Sequence, residues 1–421
     1  MTVIAPNLFA VRRVEHETGI EHVFNPTSSS PTILKGALAR GEALKDAIDT
    51  AGNRDTIILG TGSFILPENI VINSSITLVI RGISSSEPTV ILYRSDATNP
   101  AGFDIQSQVQ FINIVITDDT TFGSVTGPAL KISGSTGEVQ LNNCRIGGLQ
   151  GADVFDGGQM EAYDSTIRGE EFAIRVGSSG APGTKGTLQL HDCRIFADPG
   201  ASSVTNVVGV DFIDGTGLIW DCNFSAEGGT SSNTGIKIAD SDLFVAIGSL
   251  VSATEDSVTN TAVEVLDGFA QFRNGSMTAT GDSGTNTAVK ASGGTSIVAG
   301  CLASASGGST ATNVGVEASN SGTAVSLTGG TAVLASGGTT NTAIKQQSSS
   351  TLNAGAVEFD PGSVTGTVGP LNNFILRDLN DADPVTNNPA GQVGEVAFNS
   401  DNSSGNAGFF GRGSSAWVQL G

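Results

Sequence analysis

Apolar and polar residues alternate along most of this chain in short runs, each ending at Gly, Ser, Asp or Asn. Gly235 to Ala239, Leu243 to Ile247 and Leu250 to Ala253 form one such set, rich in β-branched residues and without i, i+3, i+4 spacing. Runs of this kind predict strands separated by turns. One pattern then returns six times, as Asn206-Val-Val-Gly-Val, Asn233-Thr-Gly-Ile-Lys, Asn260-Thr-Ala-Val-Glu, Asn286-Thr-Ala-Val-Lys, Asn313-Val-Gly-Val-Glu and Asn341-Thr-Ala-Ile-Lys. The spacings are 27, 27, 26, 27 and 28 residues. A fixed period in this range marks a solenoid, whose units cannot bury their apolar faces alone and must stack. Three strands and three turns per unit make one coil of a parallel β-helix, with equivalent residues about 4.8 Å apart. The recurring Asn suits a ladder, because its amide can bond to the next amide along the stack.

One segment breaks the strand pattern. From Gly36 to Ala51 the sequence GALARGEALKDAIDTA places Leu44, Ala47, Ile48 and Ala51 on one helical face. Three β-rich runs follow between Asp55 and Gly82. A helix ahead of the first coil closes the open end of the stack and hides its edges. The phrase Ala47-Ile48-Asp49-Thr50-Ala51-Gly52, followed by Asp55-Thr56-Ile57-Ile58-Leu59-Gly60-Thr61-Gly62, resembles the entry of the pectate-lyase-like right-handed parallel β-helix proteins. The resemblance covers about residues 36 to 368 in architecture. It implies an all-β fold, a right-handed parallel β-helix with a short N-terminal capping helix. It says little about function, because the fold hosts lyases, hydrolases, adhesins and inert shafts.

The expected organisation has three parts. Residues 1–35 carry no repeat and read as an arm that docks on another protein; His16 and His22, six apart, make a poor metal pair. Residues 36–369 are the β-helix, irregular to about Gly200, with longer loops near Thr117 to Val125 and Gly177 to Gly186, and regular from about 206. Residues 370–421 are a small β module with two short strand pairs and an aromatic cluster of Phe398, Phe409, Phe410 and Trp417. Such a module lacks the core to fold alone. Its Gly394-Glu-Val-Ala397-Phe398-Asn399, Gly408-Phe409-Phe410 and Trp417-Val-Gln-Leu420-Gly421 resemble the C-terminal hairpin modules of bacteriophage tail fibres and spikes. That resemblance implies a homotrimer held together by this tip.

Composition narrows the classes further. Lys plus Arg is 20 against 41 for Asp plus Glu, a formal net charge of −21 that argues against nucleic acid and anionic membrane surfaces as partners. No apolar run approaches the roughly 18 residues of a membrane-spanning helix. The start, MTVIAPNLFAVRR, does not read as a signal peptide, which points to synthesis in a cytoplasm and, if exported, exit by another route such as an assembled virus particle. Cys144, Cys193, Cys222 and Cys301 occupy equivalent places in LNNCRI, LHDCRI, IWDCNF and VAGCLA, without metal-ligand spacing. They read as small inward-facing residues on a stack. No metal or cofactor is implied.

Candidate chemistry concentrates in the irregular coils. QMEAYDSTI, TLQLHDCRI and GLIWDCNF place Tyr163, His191 and Trp220 on one ladder and Asp164, Asp192 and Asp221 on the next. Period-two alternation turns His191 and Arg194 outward, giving an exposed face that also carries Arg145 and Arg168. Aromatic groups among carboxylates and guanidinium groups suit sugar rings. Carboxylates one rung apart also lie near the separation of about 5 Å used by retaining glycosidases. The same aspartates are common turn residues. Surface turn or subunit contact, glycan binding and catalysis all remain open for this column. The acidic cluster Asp153, Asp156, Glu161, Glu170 and Glu171 reads as a solvated face, with cation binding as the other reading.

These features together predict a trimeric structural protein of a virion surface, either a tailspike or tail fibre or a head spike or decoration protein. Its N-terminal arm would meet other virion proteins and its body would contact host polysaccharide. The alternative is a polysaccharide hydrolase or lyase on the same fold, with Asp164, Asp192 and Asp221 as acids.

Overall fold

The computed structural model shows a parallel β-solenoid of about ten turns, of the right-handed type, with a single helix among the described residues. The structure describes the backbone of residues 9–16, 19–26, 33–73, 76–83, 88–93, 101–119, 127–177, 185–200, 203–256, 258–355, 358–359, 363–365, 396–399, 408–412 and 417–419; within these, side chains are described from 38 to 355. Each turn visits three sheets in a fixed order. The first sheet receives Asp55–Leu59, Leu78–Gly82 and Gln108–Ile112 in succession; the second takes Gly62–Ile65, Thr89–Tyr93 and Ile114–Asp118; the third takes Ile70–Ile72, Phe103–Ile105 and Pro128–Ser133. Each sheet then gains one parallel strand per turn, ending at Thr351–Ala354, Glu358–Phe359 and Ser363–Thr365. The loops expected near 117–125 and 177–186 fall mostly on 120–126 and 178–184, outside the described residues.

Alternation builds the core. In Leu243–Ile247 the side chains of Phe244 and Ala246 are buried inside, while Leu243, Val245 and Ile247 face out. Phe212, Phe244 and Phe272 follow one another through the interior at centroid distances of 5.3 and 5.8 Å. Their tilted and edge-on packing is the arrangement that the ring quadrupole favours.

The helix spans Ile33–Asp49, beginning earlier and ending sooner than the apolar pattern predicts. Its last turn persists as turn bonds from the Thr50 and Ala51 amides, and the Gly52 amide then donates to the Asp55 carboxylate, which turns the chain into the first strand. Leu44, Ala47 and Ile48 enter the core as expected. Gly41 meets the strand Gly62–Ile65 so closely that a Cβ there would lie within 1.6 Å of the Ile65 carbonyl oxygen. Arg40, itself buried, donates from Nε to the Ser63 carbonyl at 2.8 Å.

At the same end, Phe9–His16 and Gly19–Pro26 form an antiparallel hairpin, and Gly19–Pro26 runs parallel to Asp55–Leu59. The backbone of the expected arm thus extends the first sheet. Near the C-terminus of the chain, Val396–Asn399, Gly408–Arg412 and Trp417–Gln419 form an antiparallel three-stranded sheet. Phe398 pairs with Phe409, Ala397 with Phe410 and Arg412 with Trp417 along its backbone. The side chains of these four aromatic residues lie outside the described residues.

The Asn ladder exists, with one correction. Asn233, Asn260, Asn286 and Asn313 are fully buried, and each Nδ2 donates to the next Oδ1 at 2.9–3.1 Å, ending on Asn341. Asn206 is not its first rung. The third sheet pairs Asn206 with Ser232 and Val207 with Asn233, so Val207 is buried beneath the ladder and Asn206 is exposed. A slip of one residue turns a side chain to the opposite face of a strand, and only the pairing register reveals it.

Candidate functional site

Three aromatic side chains predicted as neighbours do meet. The rings of Tyr163 and His191 stack with centroids 5.0 Å apart and planes 10° from parallel, and His191 stacks on Trp220 at 4.3 Å and 10°. They stand on successive strands of the first sheet, half-exposed on its outer face. This geometry turns the ring faces toward one another. Both faces of His191 are covered, and the outer faces of Tyr163 and Trp220 point toward the rungs of Asn142 and Ile247. Edges, not platforms, meet solvent. The Tyr163 hydroxyl donates to Glu161 at 3.4 Å, and burial together with that carboxylate pushes the phenol above its ordinary pKa.

Asp164, Asp192 and Asp221 form the next column, on the exposed corner between the first and second sheets. Their φ values are 50°, 54° and 51°. The same corner holds Asn113, Asn143, Gly248, Asn274, Gly300 and Gly329, all at positive φ. Asp, Asn and Gly are the residues that tolerate this left-handed conformation, so the backbone alone supplies a reason for the column's composition. One residue further on, Cys144, Ser165, Cys193, Cys222, Ser249 and Cys301 share a single arrangement. Each thiol or hydroxyl donates to the carbonyl two residues back, at 2.8–3.4 Å. Several also accept the corner amide of the preceding coil, as Ser165 does from Cys144 at 3.0 Å and Cys222 does from Cys193 at 3.4 Å. The cysteines are buried and free, as expected, and burial pushes Cys144 up to about 11. Apolar patterning alone missed Ser165 and Ser249, although both follow an outward residue at the same corner.

The arginines lie around that corner on the second sheet. Arg145 and Arg194 share one column, separated by Thr166. Arg168 stands in another column, its guanidinium 5.8 Å from the Phe196 ring centroid and 3.3 Å from Asp198. The structure therefore joins Tyr163, His191 and Trp220, sets the three aspartates beside them, and moves the arginines onto an adjoining sheet. The acidic cluster is likewise dispersed: Asp153 lies on the third sheet, Glu161 on the first, and Asp156, Glu170 and Glu171 on corners.

A second ladder spans ten of the twelve strands of the third sheet. Asp104, Lys131, Asp153, Arg175, Asp211, Lys237, Glu264, Lys290, Glu317 and Lys345 occupy one column over ten successive coils, alternating in sign throughout. Ion pairs join Lys131 to Asp104 at 2.9 Å, Lys290 to Glu264 at 2.8 Å and Lys345 to Glu317 at 3.2 Å. The signal is present in the sequence, where the fifth residue of the last five repeats reads Lys, Glu, Lys, Glu, Lys. Its consequence needs the register: leaving any one coil out of the stack would bring two like charges face to face at that point. Changing Lys290 to Glu puts three carboxylates in a row and is expected to lower stability by about 1–2 kcal/mol, part of which returns in 1 M salt. Denaturant titration with and without sodium chloride measures it, and an unchanged midpoint would deny the ladder a part in stability.

Comparison with family models, with curated proteins and with solved structures gives no match. The geometry defines a class, a parallel β-solenoid whose polar ladders bind coil to coil.

Proposed function

We propose that this chain is a structural, self-associating rod of a bacteriophage particle surface, in the manner of a tailspike, tail fibre, head spike or decoration protein. In this reading it is a homotrimer, its N-terminal segment meets other virion proteins, and it contacts host polysaccharide. The observation that carries it is the outer face of the first sheet from Thr216 to Ala299. There Leu218, Trp220, Leu243, Val245, Ile247, Phe269 and Ile297 stand outward on four successive strands, and Arg273 at the margin is the one charged outward residue on those strands. In a chain of net charge −21, an uncharged apolar stripe is where like copies approach without repulsion. The three corner aspartates are solvent-exposed, which favours contact over acid catalysis in a water-excluding cleft.

The full chain is expected to be trimeric by light scattering. Val245→Glu combined with Ile297→Glu, or removal of residues 370–421, is expected to yield monomer with an intact far-UV spectrum. A monomeric wild-type chain would sink self-association. Release of new sugar ends from host polysaccharide, lost when Asp164, Asp192 or Asp221 becomes Asn, would replace the structural reading with a depolymerase.

A further inference from the structure

A groove of about 330 Å³ crosses the corner between the third and first sheets in the N-terminal coils, away from the apolar stripe. That volume falls in the range of small-molecule sites, about 300–1,000 Å³. Five successive coils contribute to it, beginning with Asn53 and Thr77 and continuing through Ser107, Gln108, Glu138 and Gln159.

Most of these polar groups are already fixed. Asn53 Oδ1 accepts the Thr77 amide at 2.8 Å, and Gln108 Nε2 donates to Glu138 at 2.9 Å. The Thr77 hydroxyl donates to Gln108 Oε1 at 3.4 Å. Ser107 differs. Its side chain is only 2% exposed, it lines the groove, and its hydroxyl has no hydrogen-bond partner. A buried hydroxyl without a partner costs about 1–3 kcal/mol, so a fold retains one at a price unless a ligand supplies the bond.

We infer that this groove binds a neutral saccharide. Its lining is made of amides and hydroxyls, which pair with sugar hydroxyls as both donors and acceptors. Among the described residues of the lining Glu138 is the only ionisable one, which disfavours anions. Ile76 adds one apolar surface for the hydrophobic side of a sugar ring. The Ser107 hydroxyl oxygen is itself shielded from solvent, and a χ1 rotation between staggered rotamers lets it complete its bonding to a ligand hydroxyl. This inference rests on the proposed glycan contact and gives it a location, whereas self-association stands or falls separately.

The test titrates the full-length protein with glucose, galactose, mannose, N-acetylglucosamine and their common disaccharides, read by ligand-observed NMR, with sulfate and glycerol as controls. At least one saccharide is expected to bind while the controls do not. Ser107→Ala is expected to weaken binding about five- to tenfold without lowering the thermal midpoint, since it removes an unpaired buried hydroxyl. Gln159→Ala, an exposed change, is expected to weaken it similarly, and Tyr163→Ala, in the aromatic ladder but outside the apolar stripe, to leave it unchanged. Saccharide binding that survives both groove changes but is lost in Tyr163→Ala would overturn this site and return glycan contact to the aromatic ladder. Absence of binding to the panel overturns the inference, and failure to retain host polysaccharide as well overturns the glycan-contact reading with it. Binding of sulfate or glycerol at equal strength overturns the assignment to saccharide.

Discussion

Replacing Asn286 with Leu is expected to destabilise the coils around it by about 3–5 kcal/mol, the largest effect of any single change considered for this solenoid. Asn286 is fully buried. Its Nδ2 reaches the carbonyls of Gly281 at 2.9 Å and Ser306 at 3.1 Å as well as Asn313 Oδ1 at 2.9 Å, and its Oδ1 accepts from Asn260. Asn260 retains bonds to Glu255 and Thr280, and the Ser306 carbonyl still accepts the Gly281 amide. The Gly281 carbonyl and Asn313 Oδ1 lose the bonds that Asn286 provides, in an interior where water cannot replace them. Each such loss costs about 1–3 kcal/mol, and the branched Leu must also fit a space shaped for an amide. A solenoid does not unfold as one unit, so hydrogen exchange in the flanking strands is the appropriate measurement. The control is Asn206→Ala. Since Asn206 is exposed outside the ladder, that change is expected to stay within about 0.5 kcal/mol. Equal losses at the two positions would show that the repeated Asn acts through its turn and not through the ladder.

Asp153→Asn is expected to flatten the pH dependence of stability between about pH 4 and pH 6. Burial pushes the Asp153 carboxyl up from 3.8 to about 6, against the pull of Arg175 and Lys131 on either side of it in the charge ladder. One of its oxygens, Oδ1, is buried without a hydrogen-bond partner. Because the folded protein holds this proton more tightly than the unfolded chain, the stabilisation is complete below the unfolded value. It is lost as pH rises through the folded value. The change amounts to about 2–3 kcal/mol across that window. Asn mimics the protonated acid at every pH, so the variant is expected to match the wild type near pH 4 and exceed it at pH 7. Asp211, raised by burial in the same column, leaves a residual slope that Asp211→Asn removes. Thermal midpoints across that range provide the test, and parallel curves for wild type and Asp153→Asn would contradict it.

Legibility differed among the features. The three strands per coil, the inward cysteines and the apolar face of the helix follow from local spacing, because burial of apolar groups imposes a period of two on a strand and 3.6 on a helix. The aromatic stack was also visible, since equal phrases in neighbouring coils must lie side by side. Its orientation was not. Ring faces turned toward one another come from stacking along the solenoid axis, which composition does not encode. The positive φ of the aspartate corner became clear only beside its Asn and Gly equivalents in other coils.

The repeat therefore determined that this chain is a parallel β-solenoid with a column of Asn, and the one helical segment determined the cap at its N-terminal end; that the Asn column lies inside came from the structure. Inter-coil register decided the rest: that Val207 and not Asn206 lies beneath the ladder, that ten charges alternate along one face, and that the arginines stand around a corner from the aromatic rings. It also brought Ser107 to the groove formed with Asn53 and Gln159. The physical reason is that a strand's own pattern specifies only which side chains face in. Which residue of the next coil stands opposite depends on the length of every intervening turn, and that sum is resolved only when the coils are stacked.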